Sequence, residues 1–162
     1  MDRPYVVGID IGGQSAKIGI VDTRGTVLSQ TAIKSNDTNS HEEFIENLCS
    51  AVEKLAEKAN IPMSKIRGIG IGAPNANYYT RTIENAVNLT FGGMKVIPFA
   101  DLMSERIGLP VRLTNDANAA AVGEMTYGAA RGMKNFITIT LGTGVGSGIV
   151  VGGYVLYGHD GF

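Results

Sequence analysis

The fold is decided by the stretch Val6–Asp22, which reads VVGIDIGGQSAKIGIVD. Two apolar, strand-like runs are joined by a turn that contains Asp10, Gly12 and Gly13. A plain hairpin does not need an acid and two glycines, whereas glycines let backbone N–H groups approach an anion closely. The stretch therefore predicts a strand–turn–strand unit whose turn binds an anion such as phosphate. The alternative interpretation is an ordinary glycine-bearing hairpin turn.

The composition is that of a globular domain, with 162 residues, 44% hydrophobic, 18% charged and a net charge of −1. This charge gives no electrostatic reason to expect binding to nucleic acid or to an anionic membrane. No apolar run reaches the length of a membrane span. The single cysteine, Cys49, excludes an internal disulfide and a cysteine-rich zinc site within this chain. Residues 1–4 carry no signal-peptide core, so we expect a cytoplasmic protein.

Hydrophobic periodicity predicts strands and helices in alternation. The predicted strands are Tyr5–Ile11, Ala16–Val21, Thr26–Ile33, Ile66–Ile71, Val111–Leu113, Phe136–Thr140 and Val145–Val151. The predicted helices are Ser40–Asn60, which opens with a capping box, Phe99–Ile107 and Asn115–Tyr127. The stretch Ala76–Lys95 gives no assignment. This order predicts an α/β domain with a mixed sheet.

A second glycine-rich loop, LGTGVGSG, lies at Leu141–Gly148 between two predicted strands. Two such turns with hydroxyl or amide side chains beside them are suited to clamp a polyphosphate. Neither is a Walker A loop, because no Gly-Lys-Ser/Thr opens a helix, and neither is a dinucleotide fingerprint, because a strand follows. Taken singly, each is equally well an ordinary hairpin turn.

The third polar motif is TNDANAAAVGE, Thr114–Glu124, at a predicted strand-to-helix junction. Side chains at such a junction project into the crevice at the carboxyl end of a sheet. Asn115 and Asp116 are both good helix caps, which is the simpler interpretation. The functional interpretation is that Asp116 accepts a proton from a substrate hydroxyl, as in phosphoryl transfer.

Five motifs occur in an order that resembles the ROK family of sugar kinases, typified by bacterial glucokinases. They are VVGIDIGGQSAKIGIVD, GIGAPN, NLTF, PVRLTNDANAAAVGE and ITLGTGVGSGIVVGG, and together they span essentially the whole chain. The resemblance implies the actin/hexokinase/Hsp70 fold, in which two ribonuclease-H-like lobes close on ATP and a sugar. It implies a kinase that uses ATP and Mg²⁺, with a sugar and a nucleotide as its partners.

The resemblance also implies roles for individual residues. Asp116 matches the catalytic base, and Asp10 matches the residue that places Mg²⁺ through its water shell. The matches to the phosphate-binding positions are Gly12, Gly13, Gln14, Lys17, Gly142, Thr143 and Gly144. The matches to positions lining the sugar site are Ala73, Pro74, Asn75, Asn88, Asn115 and Asp116.

Two features depart from the family pattern. Gln14 stands where the first loop of the family usually has threonine, which changes the donor geometry. The chain stops at YGHDGF, Tyr157–Phe162, before the family's sugar-binding glutamate and histidine, its cysteine-rich loop for structural Zn²⁺ and its adenosine pocket. We therefore expect residues 1–130 to form the first lobe, and residues 131–162 to be the first hairpin of an incomplete second lobe. We expect His41 and His159 to be solvated rather than sugar-binding.

Three function classes follow from these observations. The leading one is an ATP-dependent hexose kinase, inactive as this chain alone. The first alternative is a sugar-responsive ROK regulator, although no room precedes Tyr5 for a DNA-binding module; the second is an actin-like polymer subunit. Because a lone hairpin cannot bury both faces, we expect it to self-associate or to pack against the first lobe. A homo-oligomer, a dimer or tetramer of the full-length protein, is expected.

Overall fold

The computed structural model describes residues 2–38, 40–92, 95–142 and 144–162. The elements, in chain order, are β1 (Tyr5–Ile11), β2 (Ser15–Val21), β3 (Val27–Lys34), α1 (His41–Lys58), β4 (Ile66–Ala73), β5 (Ala76–Asn77), β6 (Thr82–Glu84), β7 (Val96–Ile97), α2 (Phe99–Ile107), β8 (Val111–Asn115), α3 (Asp116–Tyr127), β9 (Phe136–Leu141), β10 (Val145–Val151) and β11 (Tyr154–Val155). Within these ranges, no helix is both long and apolar enough to cross a membrane.

The main sheet has five strands in the order β3-β2-β1-β4-β8. β1 pairs in parallel with β4, and β4 in parallel with β8, whereas β2 and β3 run antiparallel to their neighbours. The α/β fold with a mixed sheet, predicted from the sequence, is confirmed. The predicted strand and helix bounds agree with the observed ones within two residues.

One face of the main sheet is covered by α1 and α2. Val7, Ile9 and Ile11 of β1 are buried on this face, in one cluster with the apolar side chains of both helices. Phe44 of α1 stacks on Phe91 with ring centroids 4.5 Å apart. Helix α1 begins as predicted, because the Ser40 hydroxyl accepts a hydrogen bond from the Glu43 N–H at 3.4 Å.

The opposite face of the sheet is open over its middle. Gly19, Gly8 and Gly70 lie side by side on β2, β1 and β4, so three adjacent strands present no side chain there. An open cavity of about 810 Å³ follows this row of glycines. Helix α3 covers the adjoining part of the same face, where Ala119 lies against Gly72.

The second glycine loop belongs to a separate three-stranded sheet, in the order β11-β10-β9. The inner face of this hairpin packs on α3. The outer face is apolar and exposed in this chain. The exposed side chains include Ile137, Ile139, Leu141 and Val145.

The stretch without a sequence assignment forms a small antiparallel sheet in the order β5-β6-β7. Its strands are only two or three residues long, so they carry no readable periodicity. Its turns depend on backbone geometry, because Asn75, Arg81 and Asn85 all have φ between 52° and 64°. Asparagine tolerates this left-handed region better than most residues, which is the only signal that the sequence gives.

Asn77 ties the small sheet to the C-terminal segment. Its side chain is 4% exposed. Its amide donates hydrogen bonds to Glu84 Oε1 at 3.0 Å and to the Asp160 carbonyl at 2.7 Å. Its oxygen accepts from the N–H groups of Tyr79 and Thr80 at 3.0 and 3.2 Å. One buried side chain therefore holds two segments that are 83 residues apart.

Aromatic stacking reinforces this connection. The rings of Tyr78 and Tyr157 are parallel within 9°, with centroids 4.2 Å apart. The Tyr78 N–H donates to the Gly161 carbonyl at 2.8 Å. Burial raises the pKa of the Tyr157 phenol above its ordinary value. Residues 157–162 are thus fixed to the turn between β5 and β6.

Helices α1 and α2 are joined by an ion-pair network at the surface. Arg106 of α2 donates to both carboxylate oxygens of Glu46 at 2.6 Å and to Glu53 at 3.1 Å. The hydrogen bonds from Arg106 hold the pKa of Glu46 below its ordinary value of 4.5.

Replacing Asn77 by alanine should release the C-terminal segment. Buried partners left without their hydrogen bonds cost about 1–3 kcal/mol each, and the Tyr78 amide should then exchange faster with solvent. Hydrogen exchange followed by NMR measures this at Tyr78, Tyr79 and Thr80. Exchange within α1 and in the exposed control Asn36→Ala should stay unchanged. Equal acceleration in α1 would mean that Asn77 supports the whole fold instead.

Replacing Glu46 by glutamine should make stability less dependent on pH in the acid range. A carboxylate whose folded pKa is depressed stabilises above its unfolded pKa, and that contribution is lost as the pH falls through the folded pKa. The stability difference between wild type and Glu46→Gln should therefore be constant near neutrality and shrink below about pH 4.5. Urea unfolding at several pH values measures it, with Glu57→Gln as the exposed control. A difference that persists in strong acid would contradict the ion-pair explanation.

Candidate active site

The polar residues of the candidate site meet at one edge of the main sheet. β1, β4 and β8 are adjacent and parallel, so their carboxyl ends lie together, which is where open α/β sheets bind ligands. Asp10, near the end of β1, pairs with Gly72 of β4. Asn115 ends β8, opposite Ala73 of β4. Asp10 and Asp116, far apart in sequence, are thereby brought to the same edge.

The start of α3 presents Asp116 to this edge. Asn115 is the N-cap, and its Oδ1 accepts a hydrogen bond from the Ala117 N–H at 2.9 Å. The same N–H is bonded to Asp116 Oδ1 at 2.7 Å. Asp116 is exposed, and its Oδ2 has no hydrogen-bond partner among the described residues. Asn115 caps the helix as the simpler interpretation predicts, and Asp116 uses one carboxylate oxygen on the same N–H, so its other oxygen is available to a ligand.

Both aspartates line one cavity of about 380 Å³. It is lined by Ile9, Asp10, Gly72, Asp116, Ala119, Ala120 and Thr140. Gly72 lets α3 approach this closely, because a Cβ atom there would lie 3.1 Å from the Ala119 Cβ and would push the helix outward. Thr140 was not singled out from the sequence, where it is one threonine in an alternating strand. It comes from β9 of the second sheet, so both sheets contribute to the cavity.

The first glycine turn lies beside this cavity. The Gly12 N–H donates to the Ser15 carbonyl at 3.0 Å and closes the turn. The N–H groups of Gly13 and Gln14 have no hydrogen-bond partner in the described part of the chain. Lys17 on β2 pairs with Asp10 on β1, so its ammonium group lies on the same face as that carboxylate. These amides and this lysine can donate to an anion.

The four glycines of the second loop divide into two kinds. Gly142 and Gly144 are exposed at its tip, where the Gly142 N–H donates to the Gly144 carbonyl at 2.9 Å. The predicted phosphate-binding residue Thr143 lies outside the described residues. Gly146 and Gly148 instead permit close packing on α3. Cβ atoms at these positions would lie 3.0 Å from the Ala117 Cβ and 2.5 Å from the Ala121 Cβ, respectively.

Four of the residues matched to the sugar site lie at the end of β4, directly after it, and between β6 and β7. The Ala73 side chain is buried in the core and Pro74 is half-buried, whereas Asn88 is exposed. The Asn75 amide donates to the carbonyls of Glu84 and Asn85 at 3.0 and 3.3 Å. Asn75 therefore holds its own loop closed with the side chain that was predicted to contact the sugar.

The sequence model of the ROK family matches residues 6–162. The chain is 40% identical over 161 residues to a glucokinase from Halalkalibacterium halodurans, covering 99% of this chain and 48% of that protein. It is 28% identical over 162 residues to a xylose repressor from Caldicellulosiruptor bescii, covering 99% of this chain and 40% of the repressor.

Among solved structures, a ROK family glucokinase from Streptomyces griseus, in complex with glucose and AMPPNP, superposes with a TM-score of 0.80. It is 36% identical to this chain, and the match covers 97% of this chain and 47% of that one. The chain spans about half the length of the curated relatives that it matches. Because the family match runs from β1 to the last residue and includes every motif of the site, the chain belongs to the ROK family.

Proposed function

We propose that this chain is the N-terminal part of an ATP-dependent hexose kinase of the glucokinase type. The observation that carries the proposal is the shared cavity of Asp10, Asp116 and Thr140, beside a glycine turn in which two amides have no hydrogen-bond partner among the described residues. The glucose and AMPPNP bound by the Streptomyces griseus relative support the same assignment of substrates.

The residues present fit a nucleotide with Mg²⁺. The Gly13 and Gln14 amides and the Lys17 ammonium group are donors for phosphate oxygens. Asp10 offers a carboxylate with no hydrogen-bond partner among the described residues, which contain no group of three or more potential metal ligands. Mg²⁺ usually keeps several waters and takes one or two carboxylates plus substrate phosphates, so a single aspartate suits it. When bound, ATP and Mg²⁺ supply the phosphoryl group and neutralise its charge.

The chemical role of the chain itself is to orient the sugar hydroxyl and to receive its proton. Asp116 Oδ1 is fixed by the Ala117 N–H, which leaves Oδ2 to accept the proton as the hydroxyl oxygen attacks the γ-phosphorus. The new O–P bond forms while the bond from phosphorus to the leaving ADP breaks. Asn115 and Asn88 are proposed to contact the sugar with their side chains, and Pro74 and Asn75 to shape its loop.

A sugar-responsive regulator without kinase activity is the second candidate function. The xylose repressor relative, which matches along 162 residues, favours it. Such a protein would bind sugar at the same edge but would not need a proton acceptor there.

A chimeric protein distinguishes these functions and tests Asp116. Residues 1–162 of this chain would replace the matched part of the Halalkalibacterium halodurans glucokinase, which supplies the second half. We expect ADP release that depends on a hexose, from a panel of glucose, N-acetylglucosamine, N-acetylmannosamine and fructose. Asp116→Asn keeps the shape but cannot accept the proton, so kcat should fall by about 10²–10⁴-fold while glucose binding is retained.

The control removes a carboxylate elsewhere. Glu105→Gln on the exposed surface of α2 should leave kcat unchanged, and the 162-residue chain alone should release no ADP. An Asp116→Asn chimera with nearly full activity would exclude Asp116 as the base. A folded chimera that binds glucose but releases no ADP, beside an active parent glucokinase, would favour the regulator.

A further inference from the structure

The first glycine turn and the loop that contains Asn88 are in direct contact, although 75 residues separate them. A Cβ atom on Gly13 would lie 2.9 Å from the Asn88 carbonyl oxygen, so only glycine fits there. In the proposed function, Gly13 lies on the phosphate side and Asn88 on the sugar side. The two sides of the site therefore touch through their backbones.

Ser35 holds the glycine turn from behind. Its side chain is completely buried and donates to the Gly12 carbonyl at 2.6 Å. Its backbone N–H donates to the Gln14 carbonyl at 3.0 Å. In a trans peptide, the C=O of one residue and the N–H of the next point in opposite directions. Fixing the Gly12 carbonyl toward Ser35 therefore aims the Gly13 N–H away from Ser35.

Thr90 extends the same set of hydrogen bonds to the Asn88 loop. Its hydroxyl lies 2.7 Å from the Thr38 carbonyl and 3.1 Å from the Ser35 carbonyl, and its single proton is shared between these two acceptors. The residues on either side of Thr90, Leu89 and Phe91, are buried in the core. The Asn88 loop is thus anchored on one side in the core and on the other to the segment that holds the turn.

We propose that Ser35 and Thr90 are positioning residues that hold the glycine turn and the Asn88 loop in one fixed arrangement. This Ser35–Thr90 bracket, formed by Gly12, Gly13, Ser35, Asn88 and Thr90, orients the Gly13 amide and couples it to the sugar side. The coupling rests on the proposed function, because that function assigns phosphate to Gly13 and sugar to Asn88. Its consequence is that a change on the sugar side alters the binding of the nucleotide.

The first test uses the 162-residue chain and needs no activity. Valine keeps the shape of Thr90 and removes the donor, and the exposed position of Thr90 tolerates it. The Ser35 N–H donates to the Gln14 carbonyl and the Gly12 N–H to the Ser15 carbonyl, so both amides report on the turn that Ser35 holds. Their hydrogen exchange, measured by NMR, should be faster in Thr90→Val and restored in Thr90→Ser. Thr126→Val removes a hydrogen bond of the same kind on α3 and should leave both amides unchanged.

Two outcomes of this experiment would overturn the bracket. One is unchanged exchange of Ser35 and Gly12 in Thr90→Val. The other is acceleration by the same factor throughout β1, which reports global unfolding. Acceleration confined to the bracket supports it.

The second test uses the chimeric kinase. Thr90→Val should raise the KM for ATP by about two- to tenfold, the effect of losing one part-buried hydrogen bond, and Thr90→Ser should restore it. Ser35→Ala combined with Thr90→Val should raise it no further than the stronger single variant. A raised KM for glucose with a normal KM for ATP would overturn the coupling. If the chimera turns over no hexose, the proposed function fails, and hydrogen exchange still decides the bracket.

Discussion

Helix α3 is packed between two sheets, and the rest of the site depends on how close those sheets come to it. The contacts pair alanines of the helix with glycines of the sheets: Ala119 with Gly72, Ala117 with Gly146 and Ala121 with Gly148. Interiors are packed too densely for a larger side chain to enter such a contact without moving one of the layers. The sequence of α3 reflects this, because alanines occur all around it rather than along one face. Asp116, its first residue, is consequently fixed with respect to both sheets.

This packing explains how residues from distant parts of the chain form one cavity. Asp10 arrives on β1, Asp116 on α3 and Thr140 on β9, and only the close contacts of α3 bring the three elements to one place. The parallel pairing of β1, β4 and β8 then sets the edge at which they meet. Ser35 holds the carbonyls of the glycine turn from the other side, and two amides of the turn have no partner in the part of the chain that the structure describes.

The sequence predicted those elements in which hydrophobic residues recur at the regular spacing of a helix or a strand. The main-sheet strands, the three helices and the Ser40 cap of α1 follow from hydrophobic spacing and a capping residue. It left residues 76–95 without an assignment because strands of two residues depend on Asn77 and on left-handed asparagines rather than on periodicity. Nor could the sequence distinguish glycines that leave the loop tip open from glycines that allow close packing. Gly144 and Gly146 have similar neighbours in sequence, and only Gly146 packs against α3. Asn75 was matched to the sugar site, but its side-chain amide donates to carbonyls of its own loop. Residue spacing in the sequence does not predict hydrogen bonds of this kind across a loop.

The different surroundings of the two aspartates support the different roles proposed for them. Asp10 lies within a strand opposite Lys17, and its carboxylate has no hydrogen-bond partner among the described residues, so both oxygens can face the waters of a cation. Asp116 lies at a helix start, where one oxygen is held by the Ala117 N–H and the other is available. A proton acceptor must keep one fixed orientation toward the attacking hydroxyl, whereas an outer ligand of a hydrated ion need not. The restrained carboxylate is therefore the better candidate for the base, and the unrestrained one for the metal.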